Sequence, residues 1–219
     1  MKIVALFSQH KRIGKTTLAK ALVHNLNFKG HKALLLSFAD AMKIQCAEAL
    51  YYSPSDRNWL REVDQSDLKD RPVPMLKINS VFDVHYKNWL LAQDLDGEEP
   101  RSWRWHLINF GTGYKREFMQ NETIWIEQLV GKIVKSHAEG YTHVIVDDLR
   151  TAGEAQALRL FAGTDIWQVV SGTLGELDSS SYAEAITGIT HTKVLYNPED
   201  NIQEPSVFLY TETTGDSLV

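Results

Sequence analysis

The sequence predicts an α/β protein with a mostly parallel central sheet flanked by helices. Three observations carry that expectation. Short apolar runs (Lys2 to Phe7, Ala33 to Phe38, Thr142 to Asp148) alternate with longer stretches whose apolar residues recur every three or four positions. The runs are apolar almost throughout rather than alternating with polar residues, as in strands covered on both faces. The first run, a basic loop, a helical stretch and the second run also follow one another directly, the strand–loop–helix–strand unit from which parallel sheets are built.

Taken in order, Lys2 to Phe7 is the first buried strand. Thr16 to Leu26 carries Leu18, Leu22 and Leu26 on one helical face, and Gly30 stands where that helix ends. Ala33 to Phe38 is the second strand and Ala41 to Tyr51 a helix. From Ser53 to Pro100 the periodicity weakens, and Pro54, Pro72, Pro74 and Pro100 divide the chain into short helices and loops. This stretch reads as an insertion or cap over the sheet, not a separate domain. Trp103 to Ser136 is helical again, with Ile126, Leu129, Val130, Ile133 and Val134 as a core-facing stripe ended by Gly140. Thr142 to Asp148 is a buried strand closing on two acids. Thr151 and Glu154 have capping-box spacing and open a helix through Phe161. Ile166 to Val170 and Val207 to Thr211 are further strands, with a short helix at Tyr182 to Ile186 and a fraying tail from Thr211.

Composition narrows the classes. The chain has 219 residues, 43% hydrophobic and 23% charged, enough for one domain with a core and unlike a disordered or fibrous protein. With 23 basic against 28 acidic residues, the net charge of −5 provides no general attraction to nucleic acid or anionic membrane. Cys46 is the single cysteine, which excludes an internal disulfide and a multi-cysteine zinc site, and the eight histidines lack zinc-ligand spacing. No stretch approaches the roughly 18 apolar residues of a membrane span, and Ile3 to Phe7 is too short for a signal peptide. A cytoplasmic protein is expected.

The most specific local pattern is Ser8-Gln9-His10-Lys11-Arg12-Ile13-Gly14-Lys15-Thr16-Thr17, between strand and helix. It matches the phosphate-binding loop G-x-x-x-x-G-K-[ST] except for its first glycine, where Gln9 stands. Backbone N–H groups and the helix start converge there on anionic oxygens, Lys15 reaches the β- and γ-phosphates of ATP, and the Thr16 hydroxyl meets Mg²⁺. Asp147 and Asp148, at the carboxyl end of a buried strand, are positioned to hold that Mg²⁺ through water. Spacing does not choose between them. Asp40 and Lys43 follow the second strand at the same expected edge. Gly111 and Gly113 have no strand before them, so no dinucleotide fingerprint is read, but Lys115 and Arg116 could clamp a second phosphate. Trp59, Trp89, Trp103, Trp105 and Trp167 are expected to pack.

Together, LFSQHKRIGKTT, SFADAMK (Ser37 to Lys43), LKDRP (Leu68 to Pro72), LINFGTGYKREF with IWIEQL (Leu107 to Leu129) and VIVDDLRTAGEAQAL (Val144 to Leu158) resemble bacteriophage deoxynucleoside monophosphate kinases. The resemblance implies a single P-loop kinase domain over 1–219, a three-layer sandwich with a helical acceptor-binding insertion at 53–105 and a lid-like segment at 171–192. It implies an enzyme transferring the γ-phosphate of Mg-ATP to a dNMP to supply DNA precursors. Lys11, Arg12, Gly14, Lys15, Thr16 and Thr17 would bind ATP; Thr16 and Asp148 would hold Mg²⁺; Lys15, Arg150 and Asp148 would act in catalysis. Asp40, Lys43, Arg116 and Trp125 would face the acceptor. ATP and a dNMP are the implied partners, without stable nucleic-acid or membrane contacts; a homodimer is allowed. The sequence departs from the family in that Ser171 to Thr192 holds no Arg or Lys, so Lys11, Arg12 or Arg150 would supply more of the positive charge. Two other readings fit the residues. One is a P-loop kinase acting on a nucleoside or DNA-base hydroxyl, with Asp40, Asp147 or Asp148 as base. The other is a nucleotide-gated switch protein with slow turnover.

Overall fold

The computed structural model describes residues 1–9, 13–51, 53–64, 66–171, 189–197 and 209–211, with the backbone alone at 54, 57, 171, 196–197 and 209–211. The chain forms two compact units: Met1–Phe38 with Ile126–Val219, and Ala39–Trp125. The expected helix at Tyr182 to Ile186, the lid beyond Ser171 up to 188, and residues 212–219 of the tail lie outside the described residues.

The first unit is α/β. Its strands are β1 (Lys2–Phe7), β2 (Ala33–Leu36), β3 (His143–Val146), β4 (Thr164–Ser171), β5 (Lys193–Asn197) and β6 (Leu209–Thr211). They form one sheet in the order β2-β3-β1-β4-β5-β6, the first five parallel and β6 antiparallel to β5. Ile3 stands between Val144 and Thr164 in register, so β1 is central. Its side chains alternate between two cores. Ile3, Ala5 and Phe7 pack with Leu129 and Ile133 of α6 (Ile124–Ala138) and with Ala155 and Leu158 of α7 (Ala152–Arg159). Val4 and Leu6 pack with Leu18 and Ala19 of α1 (Lys15–Phe28) on the other face. Helices therefore cover both sides of a sheet whose inner strands β1 and β3 are largely apolar, as the sequence predicts. The capping box at Thr151 and Glu154 is present, and Glu154 is buried.

Two strand expectations are corrected. β2 stops at Leu36, because Phe38 already belongs to the helix α2 (Phe38–Leu50). β5 was not expected; its apolar run of three residues, Val194, Leu195 and Tyr196, pairs with β4 on one side and β6 on the other.

The second unit is helical. It contains α2 beyond Phe38, α3 (Pro54–Asp64), 3₁₀ turns at Asp67–Asp70, Pro74–Leu76 and Ile78–Ser80, α4 (Val84–Leu91) and α5 (Trp103–Ile108). The 53–105 insertion lies inside this larger unit. Its core joins Cys46, Leu50, Leu60, Leu76, Tyr86, Leu90, Trp103, Phe110 and Trp125. The helical stretch expected from Trp103 to Ser136 is interrupted. α5 runs into a π-helix, Asn109–Phe118, and Gln120 takes a left-handed φ of 53° before α6 begins.

Gly111 and Gly113, in which no dinucleotide fingerprint is read, have close neighbours on the π-helix. A Cβ at Gly111 would strike the Met42 thioether, and one at Gly113 would lie 2.7 Å from the Trp89 ring. Met42 and Trp89 thus fit against bare backbone, and the wide helix accommodates them. Gly113→Ala is expected to destabilise the protein by about 1–3 kcal/mol, as overpacking does. Gly111→Ala should cost less, since the flexible Met42 can move where the indole cannot. Urea unfolding of both variants measures the difference.

Candidate phosphate-binding site

In a parallel sheet the carboxyl ends of all strands share one edge. Here that edge carries Ser8 after β1, Ser37 after β2 and Asp147 and Asp148 after β3. The chain leaving β1 turns to α1 on one face, and the chain leaving β3 turns to α7 on the other. Adjacent strands whose connections diverge open a crevice between them, the place where open α/β sheets take ligands.

α1 begins in this crevice. Gly14 is its N-cap with φ 84°, a left-handed conformation that a side chain would strain. No side chain caps the helix and its first turn holds no acid. α4, α5 and α7, by contrast, are capped by Asp83, Ser102 and Thr151. The N-terminal N–H groups of an α-helix have no partner within the helix and carry the positive end of its dipole. At α1 the N-cap residue, Gly14, has no side chain to take them up. Lys15 is the first helical residue, and its ammonium donates to Ser8 Oγ at 2.6 Å, across the mouth of the loop. Thr16 is exposed and Thr17 half-buried at the same end, and Gln9 points to solvent. Lys11 and Arg12 lie outside the described residues.

Asp147 is buried and Asp148 half-buried. Asp148 accepts the Ser37 hydroxyl at 2.5 Å and the Phe38 N–H at 2.8 Å, so this acid holds the start of α2 from 110 residues away. Arg150 is exposed beside it, with its backbone N–H on Glu154 Oε2 at 2.8 Å. Sequence reasoning missed Ser8 and Ser37. Their signal is shared: each is the first polar residue after an apolar strand.

The residues expected to meet an acceptor, Asp40, Lys43, Arg116 and Trp125, fall in the second unit. Asp40 is half-buried in the first turn of α2. Lys43 pairs with Asp64 at 2.8 Å, whose other oxygen accepts the Trp103 indole N–H at 3.1 Å. Arg116, half-buried on the π-helix, has a buried Nε without a hydrogen-bond partner. Lys115 lies 5.4 Å from the Tyr114 ring centre. Trp125 departs from expectation. It is 2% exposed, and its indole N–H donates to the Gly111 carbonyl at 3.1 Å, so it secures the π-helix from within the core instead of presenting a surface.

Among the described residues, no three His, Cys, Asp or Glu side chains cluster as metal ligands, and no helix is long and apolar enough to cross a membrane. Compared with protein-family models and with curated proteins, the chain matches none.

Proposed function

We propose that the protein is a deoxynucleoside monophosphate kinase, transferring the γ-phosphate of Mg-ATP to a dNMP to give the dNDP. The finer architecture goes with this reading: a P-loop kinase sandwich whose helical unit receives the acceptor, with a lid over 171–192. The observation that carries it is the start of α1: a helix N-terminus without a side-chain cap, led by a left-handed glycine and a lysine, in the crevice beside two aspartates.

Phosphoryl transfer asks a protein for alignment and charge compensation more than for covalent chemistry. The α1 N–H groups would bind phosphate oxygens of ATP. Lys15 would exchange the neutral Ser8 hydroxyl for a phosphate oxygen, so that its ammonium meets an ionised acceptor as well. Thr16 would offer its hydroxyl to Mg²⁺ and Asp148 its carboxylate through a water, the kind of sparse ligand set Mg²⁺ accepts when phosphates complete its shell. Bound there, Mg²⁺ supplies charge neutralisation on the β- and γ-oxygens. The two hydrogen bonds on Asp148 fix its orientation beforehand. On the acceptor side, the orphaned Nε of Arg116 supports a guanidinium meant for a phosphate, with Asp40 and Lys43 nearby in sequence on α2. A phosphate monoester is mostly dianionic at neutral pH, its second pKa being about 6, so no residue must remove a proton. Arg150 adds positive charge at the strand edge.

The test is ADP release from Mg-ATP with each dNMP, each NMP, free nucleosides and single-stranded DNA. Turnover that requires one or more dNMPs is expected. Turnover with nucleosides or DNA alone would move the acceptor to a hydroxyl and overturn the proposal. Tight ATP binding without acceptor-dependent release would leave a nucleotide-gated switch.

A further inference from the structure

The strands of the first unit begin at the edge opposite the phosphate-binding crevice, and no step of the proposed reaction uses that edge. Two histidines meet there. His31 lies three residues beyond the end of α1, and His143 opens β3, in register with Ala33 of β2 and Lys2 of β1. Val144 and Val146 pack towards α6 and α7 and Ile145 towards α1, so strand alternation puts His143 on the α1 side as well. The two imidazole centres are 4.7 Å apart, with their planes inclined by 56°. Histidine spacing along the chain does not show this pair, because the sheet alone brings the two residues together.

His143 is prepared to offer a lone pair. Its Nδ1 lies 3.0 Å from the Thr142 hydroxyl oxygen. That hydroxyl donates its one hydrogen to the Lys32 carbonyl at 3.2 Å and accepts the Lys32 N–H at 3.1 Å. With its hydrogen so used, the oxygen accepts from the ring; the proton sits on Nδ1 and Nε2 is bare. A hydrogen bond on one ring nitrogen that readies the other as a ligand is the usual surrounding of metal-bound histidine. Burial, then His31, Lys2 and the amino terminus, hold the His143 pKa below its ordinary 6.5, which favours the neutral ring. The backbone beneath is fixed. The Thr142 and His143 N–H groups both donate to the Lys32 carbonyl, and the Asn27 side chain holds the N–H and carbonyl of Ala33. His31 is exposed, so its ring can turn a nitrogen to a shared ion without disturbing the core. The nearby cations are engaged elsewhere: Lys2 pairs with Asp165 at 3.8 Å, and Lys32 donates to the Glu139 carbonyl at 2.6 Å.

We infer that His31 and His143 together hold a divalent transition-metal ion of the nickel or copper kind. Imidazole suits these ions, whereas Mg²⁺ takes oxygen ligands. A metal about 2.0–2.1 Å from a ring nitrogen stands roughly 3.2 Å from the ring centre, so centres 4.7 Å apart subtend about 95° at it. That angle is nearer the cis positions of a square or octahedral shell than the tetrahedral angle zinc prefers. Water completes the shell. The ion then ties the chain between α1 and β2 to the start of β3.

The inference does not depend on the nucleotide chemistry, and its test reads binding, not turnover. Isothermal titration calorimetry of the untagged chain with Ni²⁺, at neutral pH and with excess Mg²⁺ present, is expected to show one Ni²⁺ per chain. His31→Ala should weaken binding about a hundredfold or more, as losing one arm of a two-point attachment does. The residue is exposed, so far-ultraviolet circular dichroism should match the parent. His143→Gln should weaken binding as much. Thr142→Val, which leaves both ligands in place, should cost at least about tenfold, and Thr142→Ser should retain the parent affinity. Ni²⁺ should also raise the melting temperature of the parent but not of His31→Ala. A titration without saturable one-to-one binding would overturn the inference. So would equal Ni²⁺ affinity in the parent and in both histidine variants, since the ion would then sit elsewhere.

Discussion

Lys15→Ala is expected to lower kcat/KM for dNMP phosphorylation by about a thousandfold or more, the scale on which single cations act in phosphoryl transfer. The side chain starts α1 and is half-buried, and its ammonium bonds Ser8 Oγ at 2.6 Å. The N-cap residue beside it is Gly14, which has no side chain of its own to offer a phosphate. The fold should survive, because a Lys–Ser bond at a helix start contributes little to stability. Lys20→Ala, which removes an exposed cation further along α1, is the control and should leave the rate unchanged. Steady-state kinetics with the dNMP identified by the acceptor panel measures both. Activity of Lys15→Ala within tenfold of the parent would remove the α1 site from the mechanism.

The second large effect concerns stability. His106 is fully buried on α5, with Nε2 3.0 Å from the Leu76 carbonyl and Nδ1 3.4 Å from the Tyr86 hydroxyl. The carbonyl can only accept, so Nε2 donates to it and the neutral ring suits the pair. Burial pushes the pKa down from its ordinary 6.5 to about 4, outweighing the Leu76 hydrogen bond that favours the charged form; the Arg101 guanidinium also lowers it. A group that is harder to protonate in the folded chain stabilises that chain fully above pH 6.5, and the contribution is lost as pH falls towards 4. The loss is about 3 kcal/mol over that window. Carboxylates titrate in the lower part of the same range, so the comparison must be differential. Urea unfolding of the parent and of His106→Gln, at pH 7 and pH 4, is expected to show the parent's advantage shrinking by about that amount. A constant difference would mean that the histidine protonates as readily in the folded chain as in the unfolded one.

How much was legible in the sequence follows from the range of each signal. The sheet's first half and α1 were readable because strand, glycine, lysine and helix are neighbours in the chain. Thr151 and Glu154 were readable for the same reason. The role of Asp148 at the start of α2 was not, since its partners Ser37 and Phe38 lie 111 and 110 residues away and any acid after a strand looks alike. Gly111 and Gly113 have no strand before them and are read as no dinucleotide fingerprint; what they accommodate is Met42 and Trp89, side chains no local pattern could pair with them. Trp125 was expected to face the acceptor and instead supports Gly111 from the core, because an indole is equally suited to a surface slot and to a buried hydrogen bond. β5 escaped because three apolar residues fall below the length at which a strand declares itself.

The division into two units has a spectroscopic consequence. Trp59, Trp89, Trp103, Trp105 and Trp125 all lie in the Ala39–Trp125 unit, and Trp167 on β4 is the sixth tryptophan, in the sheet unit. Intrinsic emission is therefore dominated by the helical unit, whereas the sheet contributes one indole, with the Lys193 ammonium 5.6 Å from its ring centre. A melt followed by emission reports chiefly the helical unit, whereas one followed by far-ultraviolet circular dichroism reports the helices and strands of both units. Their midpoints should coincide only if both halves come apart in a single cooperative step.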